Sequence, residues 1–148
     1  VAVWPGVIPE GSCCDQSICL GDLMATTADI LGVGLPAGAG EDSVSFLPLL
    51  KGKVDTPIRD HVIHHSARGR FAIRKGEWVL IDGPSGDENG EPEWLKQERG
   101  YVAHEHPGEL YNLKEDITEA ENRYAERPDI VKELSSLLHD AKRESPYD

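Results

Sequence analysis

Three short apolar runs follow one another in residues 61–65, 70–74 and 78–81, joined through Gly69 and through the Lys75-Gly76 pair. Apolar, β-branched and aromatic residues bounded by glycine turns read as strands, and runs this close in sequence pair as an antiparallel meander. A fourth strand is expected at residues 109–113. The chain then closes on an amphipathic helix, because Ile130, Val131, Leu134, Leu137, Leu138 and Ala141 recur at helical spacing. Pro128 suits the first helical turn, where its missing N–H is no loss. Asp129 and Glu133 lie toward the positive end of the helix dipole, Lys142 and Arg143 toward the negative end. A four-stranded antiparallel sheet packed by a C-terminal helix is an α+β arrangement.

The first third reads differently. Residues 1–4 form a short apolar strand stopped by Pro5-Gly6. Leu20, Leu23, Met24, Thr27, Ala28 and Leu31 make one helical stripe. Asp22 is the expected N-cap and Gly32 the expected stop. A Gly/Pro-rich loop spans 33–42, residues 43–50 are a short helix or turn, and Asp55-Thr56-Pro57 reads as a boundary. Residues 82–107 read as one long loop, and 116–125 as a polar stretch with a single helical turn.

Charge narrows the partners. Asp and Glu total 27 against 15 Lys and Arg, a formal net charge of −12. That argues against nucleic acid and anionic membranes, both of which call for a basic face. The longest uncharged run, residues 30–40, is broken by Gly and Pro and is too short to span a bilayer. Val1 opens without a signal peptide, which suggests a processed or truncated product. Cys13, Cys14 and Cys19 are clustered and odd in number, so they read as buried or free thiols rather than a disulfide framework or a zinc site.

No G-x-S-x-G elbow and no phosphate-binding glycine loop occurs. His104-Glu105-His106 would share a face on a strand, but before Pro107 they read as solvated loop histidines. His64-His65-Ser66 closes the first strand of the meander. Alternation sends the two imidazoles to opposite faces, so at most one packs against a helix while the other faces a groove. A packing role at the strand edge and a contact with substrate both remain open.

Several segments together resemble the C-terminal part of sulfatases of the arylsulfatase and N-acetylgalactosamine-6-sulfatase kind. They are Val3-Trp4-Pro5-Gly6-Val7-Ile8-Pro9-Glu10-Gly11, Asp22-Leu23-Met24-Ala25-Thr26-Thr27-Ala28-Asp29-Ile30-Leu31-Gly32 and Ser45-Phe46-Leu47-Pro48-Leu49-Leu50-Lys51-Gly52. Phe71-Ala72-Ile73-Arg74-Lys75-Gly76-Glu77-Trp78-Val79-Leu80-Ile81, Glu109-Leu110-Tyr111-Asn112-Leu113-Lys114-Glu115-Asp116 and the Pro128 helix complete the order. The resemblance implies an alkaline-phosphatase-like enzyme in two parts. Residues 1–57 would be the last strand and helices of its catalytic α/β domain, and residues 58–148 its C-terminal subdomain.

The nucleophile of such enzymes is a formylglycine made in a Cys/Ser-x-Pro/Ala-x-Arg motif. Cys13, Cys14 and Cys19 all lack that pattern. The resemblance therefore implies no catalytic and no metal residue here. Calcium and formylglycine are expected in a missing N-terminal part, and the chain alone is expected to be inactive. It implies a role in shaping the substrate cleft, with His64 or His65 touching the organic part of a sulfated small molecule or glycan. A periplasmic, secreted or lysosomal setting goes with the resemblance. The alternatives are a non-catalytic binding or assembly module, or a piece of a related phosphodiesterase or phosphonate hydrolase.

Overall fold

The computed structural model describes residues 1–53, 55–67, 69–84, 92–100 and 104–144. The elements run α1 (Asp22–Leu31), α2 (Leu47–Leu50), β1 (Val62–His65), β2 (Phe71–Lys75), β3 (Trp78–Ile81), α3 (Glu93–Arg99), β4 (Glu109–Asn112) and α4 (Pro128–Glu144). Contacts group the chain into two compact units, Val1–Val62 and Ile63–Asp148.

In the second unit the strands lie in sequence order, β1-β2-β3-β4, as one four-stranded antiparallel sheet. Ser66 N–H donates to the Arg70 carbonyl, Gly69 N–H donates to the Ser66 carbonyl, and Gly69 has φ +85, so glycine suits the turn into β2. Register then builds the core. Ile73 faces Leu80, and Leu80 faces Leu110, so three aliphatic side chains line up across the strands on one face. Leu134 and Leu138, one turn apart on α4, close over that row, and all five side chains are almost wholly buried. Burying each contributes roughly 1.5–3 kcal/mol.

Ion pairs hold α4 in register: Lys75 with Glu133 at 3.0 Å and Lys142 with Asp82 at 2.7 Å. The guanidinium of Arg127 lies 5.0 Å from the Trp78 ring centroid. The outer side of β4 does not run bare. Asn122 Oδ1 accepts from the Leu110 amide, and the Arg123 amide donates to the Leu110 carbonyl. That removes pairing groups which an edge strand would otherwise expose.

In the first unit α1 ends on Gly32, whose φ of +66 lets its N–H and that of Val33 return to Asp29 and Ala28. Asp22 is not the N-cap. Gly21 holds that position, and Asp22 is the first helical residue. Its carboxylate points inward instead, accepting from Cys19 N–H at 2.8 Å, Val44 N–H at 3.0 Å and the Arg59 guanidinium. The helix start is completed from a distance: Ser43 Oγ accepts from Ala25 N–H at 2.9 Å and donates to the Gly21 carbonyl at 2.8 Å. Thr26 Oγ1 accepts from Phe46 N–H at 3.0 Å, joining α1 to the segment that leads into α2.

Two further expectations need correction. Residues 1–4 form no strand, because no ladder pairs with them among the described residues. The stretch 82–107 is not loop throughout: it holds α3, begun after Pro92 and stopped by left-handed Gly100. Residues 116–125 are polar turns and close with one helical turn, in which the Arg127 amide donates to the Arg123 carbonyl at 3.0 Å. There the Asp116 carboxylate accepts from the Thr118 hydroxyl and the Glu121 amide, which satisfies locally what a helix would have satisfied.

Candidate functional site at one end of the sheet

Ala72 faces Ile81, and Ile81 faces Glu109. The 66–70 turn, residues 82–84 and residues 104–108 therefore all meet the sheet at the same end. His64 and His65 stand at that end of β1, and both are exposed. Alternation places His65 on the face of Ile63, which packs against the core, and His64 on the other face. The two imidazoles do not converge on one point.

His65 is the more constrained of the pair. Its Nδ1 lies 2.9 Å from the Ser66 carbonyl oxygen, so Nδ1–H donates there and Nε2 is left to face solvent or a ligand. Its ring centroid sits 5.7 Å from that of Phe71. Lys142 Nζ lies 4.6 Å from the same Phe71 ring. Arg70 donates to the Pro84 carbonyl, and its side chain crosses Gly83 so closely that a Cβ there would lie 2.5 Å from Nε. The His65 imidazole and the Lys142 ammonium thus lie against one aromatic ring, the ammonium also paired with Asp82 and the Arg70 guanidinium turned to the Pro84 carbonyl. With Nδ1–H on Ser66, His65 Nε2 is an acceptor for a hydroxyl.

His104 and His106 are not solvated loop histidines; both are half-buried. His104 Nε2 lies 3.0 Å from Glu109 Oε1, and His104 Nδ1 accepts from the His106 amide at 3.1 Å. Those partners set the neutral tautomer, with the proton on Nε2. The His104 ring stacks on His106 and the His106 ring on Tyr124, with centroids 5.5 Å and 6.0 Å apart. This pairing was not anticipated, although an acid placed directly before the apolar Leu110-Tyr111 pair of β4, as Glu109 is, was a visible signal that a buried partner was needed.

Cys13 and Cys14 are exposed free thiols, and Cys19 is a half-buried one. Among the described residues no three His, Cys, Asp or Glu side chains gather as a metal cage. No helix among them is long and apolar enough to cross a membrane.

The comparisons bear on this arrangement. No family model matches the chain. Over 121 residues it is 36% identical to an N-acetylgalactosamine-6-O-sulfatase of Bacteroides thetaiotaomicron, a match covering 82% of this chain and 22% of that protein. The chain matches the C-terminal part of a sulfatase. A solved structure from work on the metabolism of multiple glycosaminoglycans by Bacteroides thetaiotaomicron superposes with a TM-score of 0.64 at 33% identity, covering 83% of this chain and 24% of that one. A 2-O GAG sulfatase superposes with a TM-score of 0.57 at 23% identity, over 86% of this chain and 25% of its own, and that likeness speaks for the fold. The chain spans about a fifth of the length of the sulfatase it matches in sequence.

Proposed function

We propose that these 148 residues are the C-terminal portion of a sulfatase that hydrolyses a sulfate ester on a glycan sugar, and that they wall the substrate cleft rather than carry the reaction. The observation that supports this reading is the 36% identity, sustained over 121 residues, with an N-acetylgalactosamine-6-O-sulfatase. Residues 1–57 then belong to the α/β body and residues 58–148 to the C-terminal subdomain.

Cleaving a sulfate ester requires an activated nucleophile and positive charge on the sulfate oxygens. The residues present fit neither implied group. None of the three cysteines stands in a Cys/Ser-x-Pro/Ala-x-Arg motif, and no metal cage forms among the described residues. Calcium and formylglycine accordingly belong, on this reading, to polypeptide outside these residues. Alone, the chain releases no sulfate. A periplasmic, secreted or lysosomal setting accompanies the proposal.

His64 and His65 are the residues assigned to the sugar. His65, held through Nδ1 by the Ser66 carbonyl, offers Nε2 as an acceptor to a sugar hydroxyl. His64 serves the opposite face. The test replaces the matched region of the Bacteroides thetaiotaomicron sulfatase with this chain and compares His64→Ala and His65→Ala in that background. A raised KM in at least one is expected. Unchanged KM and kcat in both overturn the assignment.

A further inference from the structure

We infer that His106 is a specificity-determining residue that reads a second sugar of the glycan, bonding through its ring edge to a hydroxyl of the sugar next to the sulfated one. The inference rests on the proposed function and extends its site from His64 across the width of the sheet.

Alternation carries both groups to one face. Ile63 and Leu110 pack in the core with Leu134 and Leu138 of α4, so their neighbours His64 and Glu109 turn to the opposite face. His104 meets Glu109 there, with Nε2 3.0 Å from Oε1, and His106 stacks on His104. β1 and β4 are the two outer strands, and His64 and Glu109 stand at the same end of the sheet. Three spacings between strands set them about 14 Å apart. That gap is wider than one sugar ring, so a ligand that touches both sides is an oligosaccharide.

His104 and His106 are not equivalent. His104 has spent both ring nitrogens, Nε2 on Glu109 and Nδ1 on the His106 amide. His106 has spent neither: among the described residues its ring makes only aromatic contacts, with His104 and with Tyr124. Tyr124 is itself fixed, its amide donating to Asn122 Oδ1 at 3.0 Å, an oxygen that also accepts from the Leu110 amide. The His106 ring is therefore held in place with its polar edge unused, and bonding through that edge orders little that is not already ordered. A neutral imidazole carries one donor and one acceptor, the same pair a sugar hydroxyl carries. Glu105 is exposed beside His106, and Glu109 lies one ring away. Those carboxylates oppose a second anionic group, which selects a hydroxyl over another sulfate.

The experiment places His106→Phe and His106→Gln in the Bacteroides thetaiotaomicron sulfatase with its matched region replaced by this chain. Its substrates are N-acetylgalactosamine 6-O-sulfate and tetrasaccharides carrying that sugar at one end or the other. Phenylalanine keeps the stacking and removes both nitrogens; glutamine removes the ring and keeps a donor and an acceptor. His106→Phe should raise KM for one of the tetrasaccharides by roughly two- to tenfold, the loss of one hydrogen-bonded contact, and leave kcat and the monosaccharide KM unchanged. His106→Gln should recover part of that loss. A purely structural role gives the reverse: His106→Phe neutral, His106→Gln damaging, and every substrate affected alike. That pattern, or unchanged tetrasaccharide KM values in His106→Phe, overturns the inference. A graft inert on all three substrates removes the sulfatase reading, and NMR of the 148-residue chain then decides the contact. His106 ring-proton signals that move on addition of tetrasaccharide keep it, and signals that stay in place overturn it.

Discussion

Asp22 is the position whose removal should disturb the first unit most. Its side chain is wholly buried, and the Arg59 side chain is 13% exposed. Asp22→Ala strips the partner from a nearly buried cation, and breaking a buried pair on one side costs about 3–5 kcal/mol. The amides of Cys19 and Val44 lose their acceptor as well, although water can reach part of each. Asp22→Asn keeps the shape and one accepting oxygen but turns an NH2 toward a donor, for a loss of about 1–3 kcal/mol.

The assay is hydrogen exchange read by peptide, because the two units need not unfold together. At one decade of exchange per 1.4 kcal/mol, Asp22→Ala should speed exchange in α1 and residues 44–51 by roughly two to four decades, or abolish protection there. β2 and β3 should be unaffected.

The pH dependence has a definite sign. Burial alone would raise the Asp22 carboxyl, but the Cys19 and Val44 amides and Arg59 outweigh it and hold the group below its ordinary value of 3.8. A lowered folded value means the stabilisation is present above 3.8 and is lost as pH falls through the lower folded value. Wild-type protection of α1 should therefore fade only in acid below 3.8, and that fading should be absent from Asp22→Asn. Unchanged exchange in α1 and residues 44–51 after Asp22→Ala would refute the reasoning.

Three other substitutions probe the second unit. Leu134→Ala removes the side chain that α4 sets over Ile73, Leu80 and Leu110, and should cost about 2–5 kcal/mol in urea denaturation of that unit. Gly108→Ala brings a Cβ to 2.7 Å from Tyr124 Cε2 and 3.0 Å from the Ile81 carbonyl oxygen, so a loss of about 1–3 kcal/mol is expected, with altered Tyr124 ring signals in NMR. Glu119 holds φ +56, a conformation that asparagine and glycine tolerate better. Glu119→Asn and Glu119→Gly should each raise the thermal midpoint, by an amount equivalent to about 1 kcal/mol, and a lowered midpoint in both would contradict the strain assigned there.

The periodic elements were legible. β3 is bounded by Gly76 and Asp82 and stands where its apolar run stands, and α4 follows from six apolar residues at helical spacing. The α1 stripe was legible too, but not its direction. Spacing identifies an apolar face without saying which neighbour meets it, and within this chain Asp22, Thr26 and Ala28 are turned inward while Leu23, Met24 and Leu31 are exposed. Asp22 looked like a cap because caps are local, whereas its partners Val44 and Arg59 lie 22 and 37 residues away. α3 gave no stripe, since its apolar residues are only Trp94 and Leu95 and Trp94 is exposed. Residues 1–4 had a strand's composition, but no strand pairs with them among the described residues. At the candidate site, the position of His64 and His65 at a strand end was readable from the Ala67-Arg68-Gly69 turn that follows. The stacking of His104, His106 and Tyr124 joins residues from two sides of β4, which a local pattern does not reveal.

Sulfate release tests the central claim most directly. Ion chromatography of N-acetylgalactosamine 6-O-sulfate incubated with the purified 148-residue chain should detect no free sulfate, while the same chain grafted into the Bacteroides thetaiotaomicron sulfatase should release it. Sulfate released by the isolated chain, or a folded graft with intact upstream residues that releases none, would contradict the account.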